Sequence, residues 1–187
     1  MPTVRVARPQ VTFADLQQWP DDGKRYELYD GEVCEVPGPT PRHQVAAQNV
    51  YDFLRAYQRS HGGRVLISPI DIVFSEVDVI QPDVLFFSQA RAHLVDPDRA
   101  TRHAPDLIVE VLSLSTAATD RGKKMRMLAR YRVPEYWLVD ARARRCEVYR
   151  LAGDSYVLEQ SASDDDTVRS LILPDLVFHA REIFGDW

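Results

Sequence analysis

The sequence contains few cysteines, no long apolar run and no excess of positive charge. Its two cysteines, Cys34 and Cys146, lack the paired spacing of a metal site, so we expect buried thiols in a reducing compartment. No apolar run reaches the roughly 20 residues that a membrane span needs, and residues 1–8 lack the apolar region of a signal peptide. These absences predict a cytoplasmic protein without a membrane segment.

The formal net charge of −5 argues against a protein that coats nucleic acid, because such proteins carry a clear basic excess. A local basic patch can still serve a nuclease. One such stretch covers residues 119–132, where six cations accompany a single acid, Asp120: Arg121, Lys123, Lys124, Arg126, Arg130 and Arg132. The pattern fits a solvated helix face and a phosphate-facing surface equally well.

The length of 187 residues predicts one domain, covering residues 1–187, with a substantial core. In the first half, Asp30-Gly31 between extended runs at 25–29 and 32–36 predicts a hairpin, and residues 42–60 have helical spacing. Four short runs then predict a meander of antiparallel strands: 64–68, 70–74, 77–80 and 84–87.

The second half predicts a β-α-β unit, made of a strand at 106–112, a helix at 120–132 and a strand at 135–140, so the two strands are expected to be parallel. A closing hairpin is predicted at 145–151 and 156–160, and a last strand at 168–173. The apolar residues of the tail are expected to dock on the core: Val177, Phe178, Ile183, Phe184 and Trp187.

Two apolar runs of strand length each carry one carboxylate. Asp83 opens the first run, and Glu110 lies inside the second. An acid on an apolar strand is costly to bury unless it is paired or bound to a cation. On neighbouring strands the two carboxylates would meet at one sheet edge, where they suit Mg²⁺. Alternatively, Asp83 caps a turn and Glu110 pairs with an arginine such as Arg64.

Several short motifs follow one another in a specific order along nearly the whole chain. They are Tyr26-Glu27-Leu28-Tyr29-Asp30-Gly31-Glu32, His43, Gln81-Pro82-Asp83, Val109-Glu110-Val111-Leu112-Ser113, Asp120 with Lys124, and Val133-Pro134-Glu135-Tyr136-Trp137-Leu138-Val139-Asp140. Together they resemble the Uma family of restriction endonucleases, within the PD-(D/E)XK nuclease superfamily.

The resemblance implies an α+β (mixed α/β) fold: a restriction-endonuclease-like mixed central sheet flanked by helices, with the hairpin as an N-terminal extension. It implies an endonuclease that hydrolyses DNA with Mg²⁺, or Mn²⁺, as cofactor. Asp83 and Glu110 would be the metal ligands, with the carbonyl oxygen of Val111 as a further candidate. Members of the superfamily often pair to cut two strands, so a homodimer is expected.

The chain departs from the superfamily pattern at Leu112, where a lysine is expected two residues after the glutamate. In the Uma family this lysine has moved to the following helix, so Lys124 is the first candidate and Lys123 the alternative. Asp120 shares a helical face with Lys124 and would orient it.

Two further residues join the candidate catalytic set through the resemblance. Glu27 would add a carboxylate from the hairpin, although it equally fits a surface acid on an edge strand. His43 would lie in the first turn of a helix, where a lone histidine is more often structural. The displaced lysine also leaves open an alternative function, an inactive member of the fold that binds nucleic acid or a protein.

Overall fold

The structure of the protein is a computed structural model that describes residues 10–185. The larger group of strands comprises β3 (Arg64–Ile67), β6 (Val84–Phe87), β7 (Leu107–Val111), β8 (Glu135–Asp140), β9 (Arg145–Ala152) and β10 (Ser155–Ser163). A second group comprises β1 (Arg25–Tyr29), β2 (Glu32–Val36), β4 (Ile72–Ser75) and β5 (Asp78–Ile80). A small pair is formed by β11 (Thr167–Arg169) and β12 (Val177–His179).

The larger sheet has the order β10-β9-β8-β7-β6-β3. Within it β7 and β8 are parallel and the other neighbours are antiparallel, so the sheet is mixed, as the sequence predicted. The smaller sheet has the order β2-β1-β5-β4 and contains the predicted N-terminal hairpin. The mixed α/β fold class is confirmed.

The helices are α1 (Phe13–Leu16), α2 (Pro41–His61), α3 (Ala117–Thr119) and α4 (Met125–Arg130). A π-helical turn at Asp120–Lys124 joins α3 to α4, and two short 3₁₀ turns lie at Ala92–Leu94 and Ala180–Ile183. No helix within residues 10–185 is both long and apolar enough to cross a membrane.

Helices cover both faces of the larger sheet, because side chains alternate along each strand. On β7, Val109 faces a core that includes Val50 and Leu54 of α2. Ile108 faces the opposite core, which includes Leu128 of α4. All five residues of β7 are buried, as expected for a central strand that is covered on both faces.

The predicted meander of residues 64–87 is wrong. β3 pairs with β6 in the larger sheet, whereas β4 and β5 pair with each other and β5 pairs with β1 of the hairpin. Alternation of apolar residues identifies a strand and its buried face but carries no information about its partner. The chain therefore leaves the larger sheet after β3 and returns at β6.

The predicted C-terminal strand is also wrong in extent. β11 ends at Arg169 and pairs with β12, and the following backbone N–H groups of Leu171 and Ile172 donate to the Glu135 carboxylate. Phe178, Ile183 and Phe184 pack in the core as expected, whereas Val177 is exposed. The prediction for Trp187 falls outside the described residues.

Candidate functional site

One cavity of about 410 Å³ gathers the residues that the sequence singled out. It lies where the larger sheet, the smaller sheet, α2 and the helical segment 117–130 converge. Its lining includes all five predicted catalytic residues and the third predicted metal ligand: Glu27, His43, Asp83, Glu110, Lys124 and Val111.

The register of β6 and β7 brings Asp83 and Glu110 together. Val84 lies opposite Val109, so extending the antiparallel ladder by one residue places Asp83 opposite Glu110. Residues directly opposite each other point to the same face of a sheet. The Oδ2 atom of Asp83 accepts a 2.7 Å hydrogen bond from the backbone N–H of Val111, which fixes the carboxylate against the end of β7.

The Lys124 ammonium group contacts three buried carboxylates. Its Nζ atom lies 2.9 Å from Oε1 of Glu110, 3.0 Å from Oε1 of Glu27 and 3.3 Å from Oδ1 of Asp120. The Lys124 side chain is only 5% exposed. Glu110 therefore pairs with Lys124 and not with Arg64, which lies exposed at the start of β3. We call Lys124 and its three partners, Glu27, Glu110 and Asp120, the Lys124 cluster.

The π-helical turn places Lys124 and Asp120 inside the cluster. Both residues belong to this turn and both are buried, while their neighbours Arg121 and Lys123 are exposed. The wider turn separates the inward-facing pair from the outward-facing cations. Single π-helical turns inside α-helices occur frequently at functional sites.

Glu27 reaches the cluster from the smaller sheet. It lies on β1, between β2 and β5, and is 3% exposed, so the alternative of a surface acid on an edge strand is wrong. Its Oε2 atom accepts a 2.5 Å hydrogen bond from the Tyr29 hydroxyl, and Oε1 accepts a 2.9 Å bond from the backbone N–H of Gln81. Glu27 thus connects the two sheets through Lys124.

His43 contacts Asp83 from the first turn of α2. Thr40 caps this helix and Pro41 opens it, the combination that favours a helix start. The Nε2 atom of His43 lies 3.2 Å from Oδ2 of Asp83. Its Nδ1 atom is buried and has no hydrogen-bond partner among the described residues. His43 is therefore a direct neighbour of the carboxylate pair.

One buried cation among several carboxylates sets the electrostatics of the site. Burial raises the pKa of Glu110, the charge of Lys124 offsets this only in part, and Asp83 and Asp120 raise the pKa further, to well above its usual value. Burial lowers the pKa of Lys124, but the surrounding carboxylates, Glu110 and Glu27 foremost, outweigh this and raise it. The ammonium group therefore stays protonated while the carboxylates compete for it.

Of the acids in the cavity, the Asp83 and Glu110 pair is the one that could hold a hard divalent cation. Four carboxylates, those of Glu27, Asp83, Glu110 and Asp120, line the cavity, and the Lys124 ammonium group contacts all of them except Asp83. Within residues 10–185 no group of three or more His, Cys, Asp or Glu side chains is arranged to hold a metal ion. Mg²⁺ does not need such a group, because it is commonly held by one or two carboxylates and several waters.

Lys123, the alternative candidate, lies outside the cavity. Its Nζ atom is 2.7 Å from Oε2 of Glu32 on the exposed side of the hairpin. Other cations of the basic segment also form ion pairs within the protein: Arg121 with Glu147, Arg130 with Asp30 and Asp78, and Arg132 with Asp154. This pairing favours the solvated helix face over a phosphate-facing surface.

Two residues that contact Glu27 were not among the candidate site residues predicted from the sequence. Tyr29 orients Glu27 by a hydrogen bond. The contact could have been predicted, because Tyr29 lies two residues after Glu27 on the same strand, and such residues share a face. Gln81 binds Glu27 through its backbone, and its Oε1 atom is buried without a hydrogen-bond partner in the described part of the chain. No sequence pattern indicated that contact.

Comparison with known proteins gives related results by sequence and by structure. The family model of Uma2, described as "Putative restriction endonuclease", matches residues 13–181. Two proteins of Synechocystis sp. PCC 6803 named as uncharacterized are similar: slr1290 is 27% identical over 173 residues, covering 87% of each chain, and sll1609 is 25% identical over 141 residues, covering 74% of this chain and 79% of the other.

Among solved structures, the crystal structure of "a putative nuclease belonging to DUF820" from Anabaena variabilis superposes with a TM-score of 0.76. The match covers 93% of this chain and 97% of that chain at 17% identity, a level that shows a shared fold. The family match spans most of the chain and includes every candidate site residue. The chain belongs to the Uma2 family of restriction-endonuclease-like proteins.

Proposed function

We propose that this protein is an endonuclease that hydrolyses DNA phosphodiester bonds with Mg²⁺, or Mn²⁺, as cofactor. The observation that carries the proposal is the arrangement of Asp83 and Glu110 on adjacent strands with the Lys124 ammonium 2.9 Å from Glu110. Membership of the Uma2 family supports the same reaction class.

In this proposal Asp83 and Glu110 hold the cation, with the carbonyl oxygen of Val111 as a third ligand. A divalent cation supplies an activated water at neutral pH and balances the charge that develops on the phosphate. The Asp83 carboxylate is already oriented by the Val111 N–H and by His43. It therefore needs little reorganisation to act as a ligand.

Lys124 provides the positive charge that Leu112 cannot. Its ammonium group stays protonated among the carboxylates and lies beside the proposed ligand Glu110. A fixed positive charge there stabilises negative charge as it develops on the attacking water and the phosphate oxygens. Glu27 and Asp120 hold the ammonium group in place through direct contacts.

One observation favours a second function, an inactive member of the fold that binds nucleic acid or a protein. Oε1 of Glu110 is engaged by Lys124, so a bound cation must share this carboxylate with the ammonium group. An inactive protein would keep the Lys124 cluster as a structural ion network. Turnover separates the two functions.

The test is cleavage of supercoiled plasmid and of single-stranded DNA in Mg²⁺, Mn²⁺ or EDTA. We expect cleavage with either cation, none in EDTA, and none by Asp83→Asn. Lys123→Met is the matched control, because Lys123 adjoins Lys124 but points away from the cavity, and it should cut normally. A folded wild-type protein that cuts neither substrate in either cation would contradict the nuclease and leave the binding module.

A further inference from the structure

A second set of charges surrounds the carboxylates, at the mouth of the same cavity. Its lining includes three arginines, Arg25, Arg42 and Arg142. Arg25 is already bound, with its guanidinium donating to the Ser68 hydroxyl and to the carbonyl oxygen of Pro37. Arg42 and Arg142 are the residues of interest, because they line the cavity from two different elements, α2 and the β8–β9 turn.

The β8–β9 turn directs Arg142 to the cavity. Oδ1 of Asp140 accepts hydrogen bonds from the backbone N–H groups of Arg142 and Ala143, at 3.0 and 2.8 Å, which fixes the turn. Arg144, two residues on, turns away and donates to the carbonyl oxygen of Gly185. Arg142 is exposed, and among the described residues no carboxylate forms an ion pair with its guanidinium.

Arg42 reaches the cavity from the first turn of α2. That turn contains no acidic residue, and the 21-residue helix presents its positive end there. The next residue, His43, contacts Asp83 beside β6, whereas Arg142 follows β8. Since β7 lies between β6 and β8, the segments that carry the two arginines lie next to the two strands that flank β7.

This distribution of charge matches a nucleic-acid backbone. The carboxylates at the centre repel phosphate unless a cation is bound, so they cannot attract a polyanion by themselves. Arginine is suited to phosphate, because its planar guanidinium donates two parallel hydrogen bonds. A strand of DNA places one phosphate at the centre and its neighbours to each side.

We propose that Arg42 and Arg142 bind the phosphates that flank the scissile one and so seat a DNA strand across the cavity. This proposal rests on the proposed function for the identity of the central phosphate. Each arginine contributes to positioning through the backbone and reads no base, so the seat is independent of sequence.

The test measures the affinity for a labelled DNA duplex and a single strand as a function of salt, with Ca²⁺ replacing Mg²⁺. The variants are Arg42→Gln and Arg142→Gln. The matched control is Arg55→Gln, an exposed arginine on α2 about 20 Å from Arg42 along the helix axis. Circular dichroism checks that each variant is folded.

Each phosphate contact contributes about 0.9 to the slope of log affinity against log salt on a duplex, and about 0.7 on a single strand. Arg42→Gln and Arg142→Gln should each lower the slope by about that amount and weaken binding about tenfold at low salt. Arg55→Gln should leave the slope unchanged. Slopes for the cavity variants equal to that of Arg55→Gln, or no affinity of the wild type for DNA, would overturn the proposal.

Two further arms separate the possible outcomes. In the first, polyglutamate and unlabelled DNA each compete with the labelled DNA. If polyglutamate competes equally well, the arginines bind an acidic protein partner, and the proposed DNA-binding role is overturned. Cleavage is followed on the same samples with Mg²⁺. If the salt slopes change as predicted but no DNA is cut, the DNA-binding role of the arginines is supported and the nuclease function is refuted. If DNA is cut but the slopes do not change, the nuclease function is supported and the DNA-binding role is refuted.

Discussion

Replacing Lys124 by methionine tests the Lys124 cluster most sharply, because methionine keeps the apolar stem and removes only the charge. Each of the three contacts, at 2.9 to 3.3 Å, has a Coulomb energy of about 5–6 kcal/mol at an effective dielectric constant of about 20. Desolvation and repulsion among the carboxylates offset most of this sum. Breaking a buried ion pair by removing one partner costs about 3–5 kcal/mol, and we expect that loss at pH 8 in EDTA.

The loss should shrink as the pH falls. The pKa of Glu110 is raised above its ordinary value of 4.5 by burial, and removal of Lys124 raises it further. At a pH between the Glu110 pKa of the wild type and the higher one of the variant, the native variant holds a proton that the native wild type and both unfolded chains have lost. The stability of the variant therefore increases relative to that of the wild type as the pH falls through this interval. The variant should recover up to about 1.4 kcal/mol per pH unit for each proton taken up in that window.

Urea unfolding of the wild type and Lys124→Met at pH 8 and near pH 5 measures both effects. Lys123→Met is the control, and its exposed pair with Glu32 should be worth about 0–1 kcal/mol at either pH. A loss below about 1 kcal/mol at pH 8, or one that does not change with pH, would refute the account of the cluster.

Three further changes follow from the contacts. Mg²⁺ or Mn²⁺ should raise the melting temperature of the wild type, because a cation at 100 times its dissociation constant adds about 2.7 kcal/mol to the free energy of unfolding. Asp83→Asn should abolish the increase. A wild-type melting temperature that neither cation changes would count against the site. Tyr29→Phe should lower the free energy of unfolding in urea by about 1–2 kcal/mol, because a buried carboxylate of Glu27 loses a donor, and no change would contradict that contact. Glu135→Gln should cost about 2–3 kcal/mol by the same measurement, since this buried carboxylate accepts from Trp137 and from the Leu171 backbone, and a neutral result would show that it does not anchor the C-terminal segment.

Local patterns were sufficient for much of the fold. Asp30-Gly31 predicted the hairpin. The short connection through the helical segment fixed β7 and β8 as parallel. Each of these features depends on residues close in sequence. The pairing of β3 with β6 across the two strands between them depends on long-range packing, and no local pattern encodes it.

The carboxylate pair could be placed from sequence, because a lone acid on a buried strand demands a partner. Glu27 was harder, since its position on β1 is internal only because β5 pairs along its other side. The π-helical turn that contains Asp120 and Lys124 interrupts a segment whose local pattern predicts only a continuous helix. Arg142 reaches the cavity through a turn fixed by Asp140, a contact visible only in three dimensions.

The central proposal is that Lys124 stabilises the negative charge that develops on the attacking water and the phosphate, beside a cation held by Asp83 and Glu110. The direct measurement is the single-turnover rate of plasmid cleavage at saturating Mg²⁺, at a temperature where all variants are folded. The account predicts cleavage by the wild type and by Lys123→Met at similar rates, and a loss of about 100-fold or more for Lys124→Met. Cleavage by Lys124→Met at the wild-type rate would contradict it.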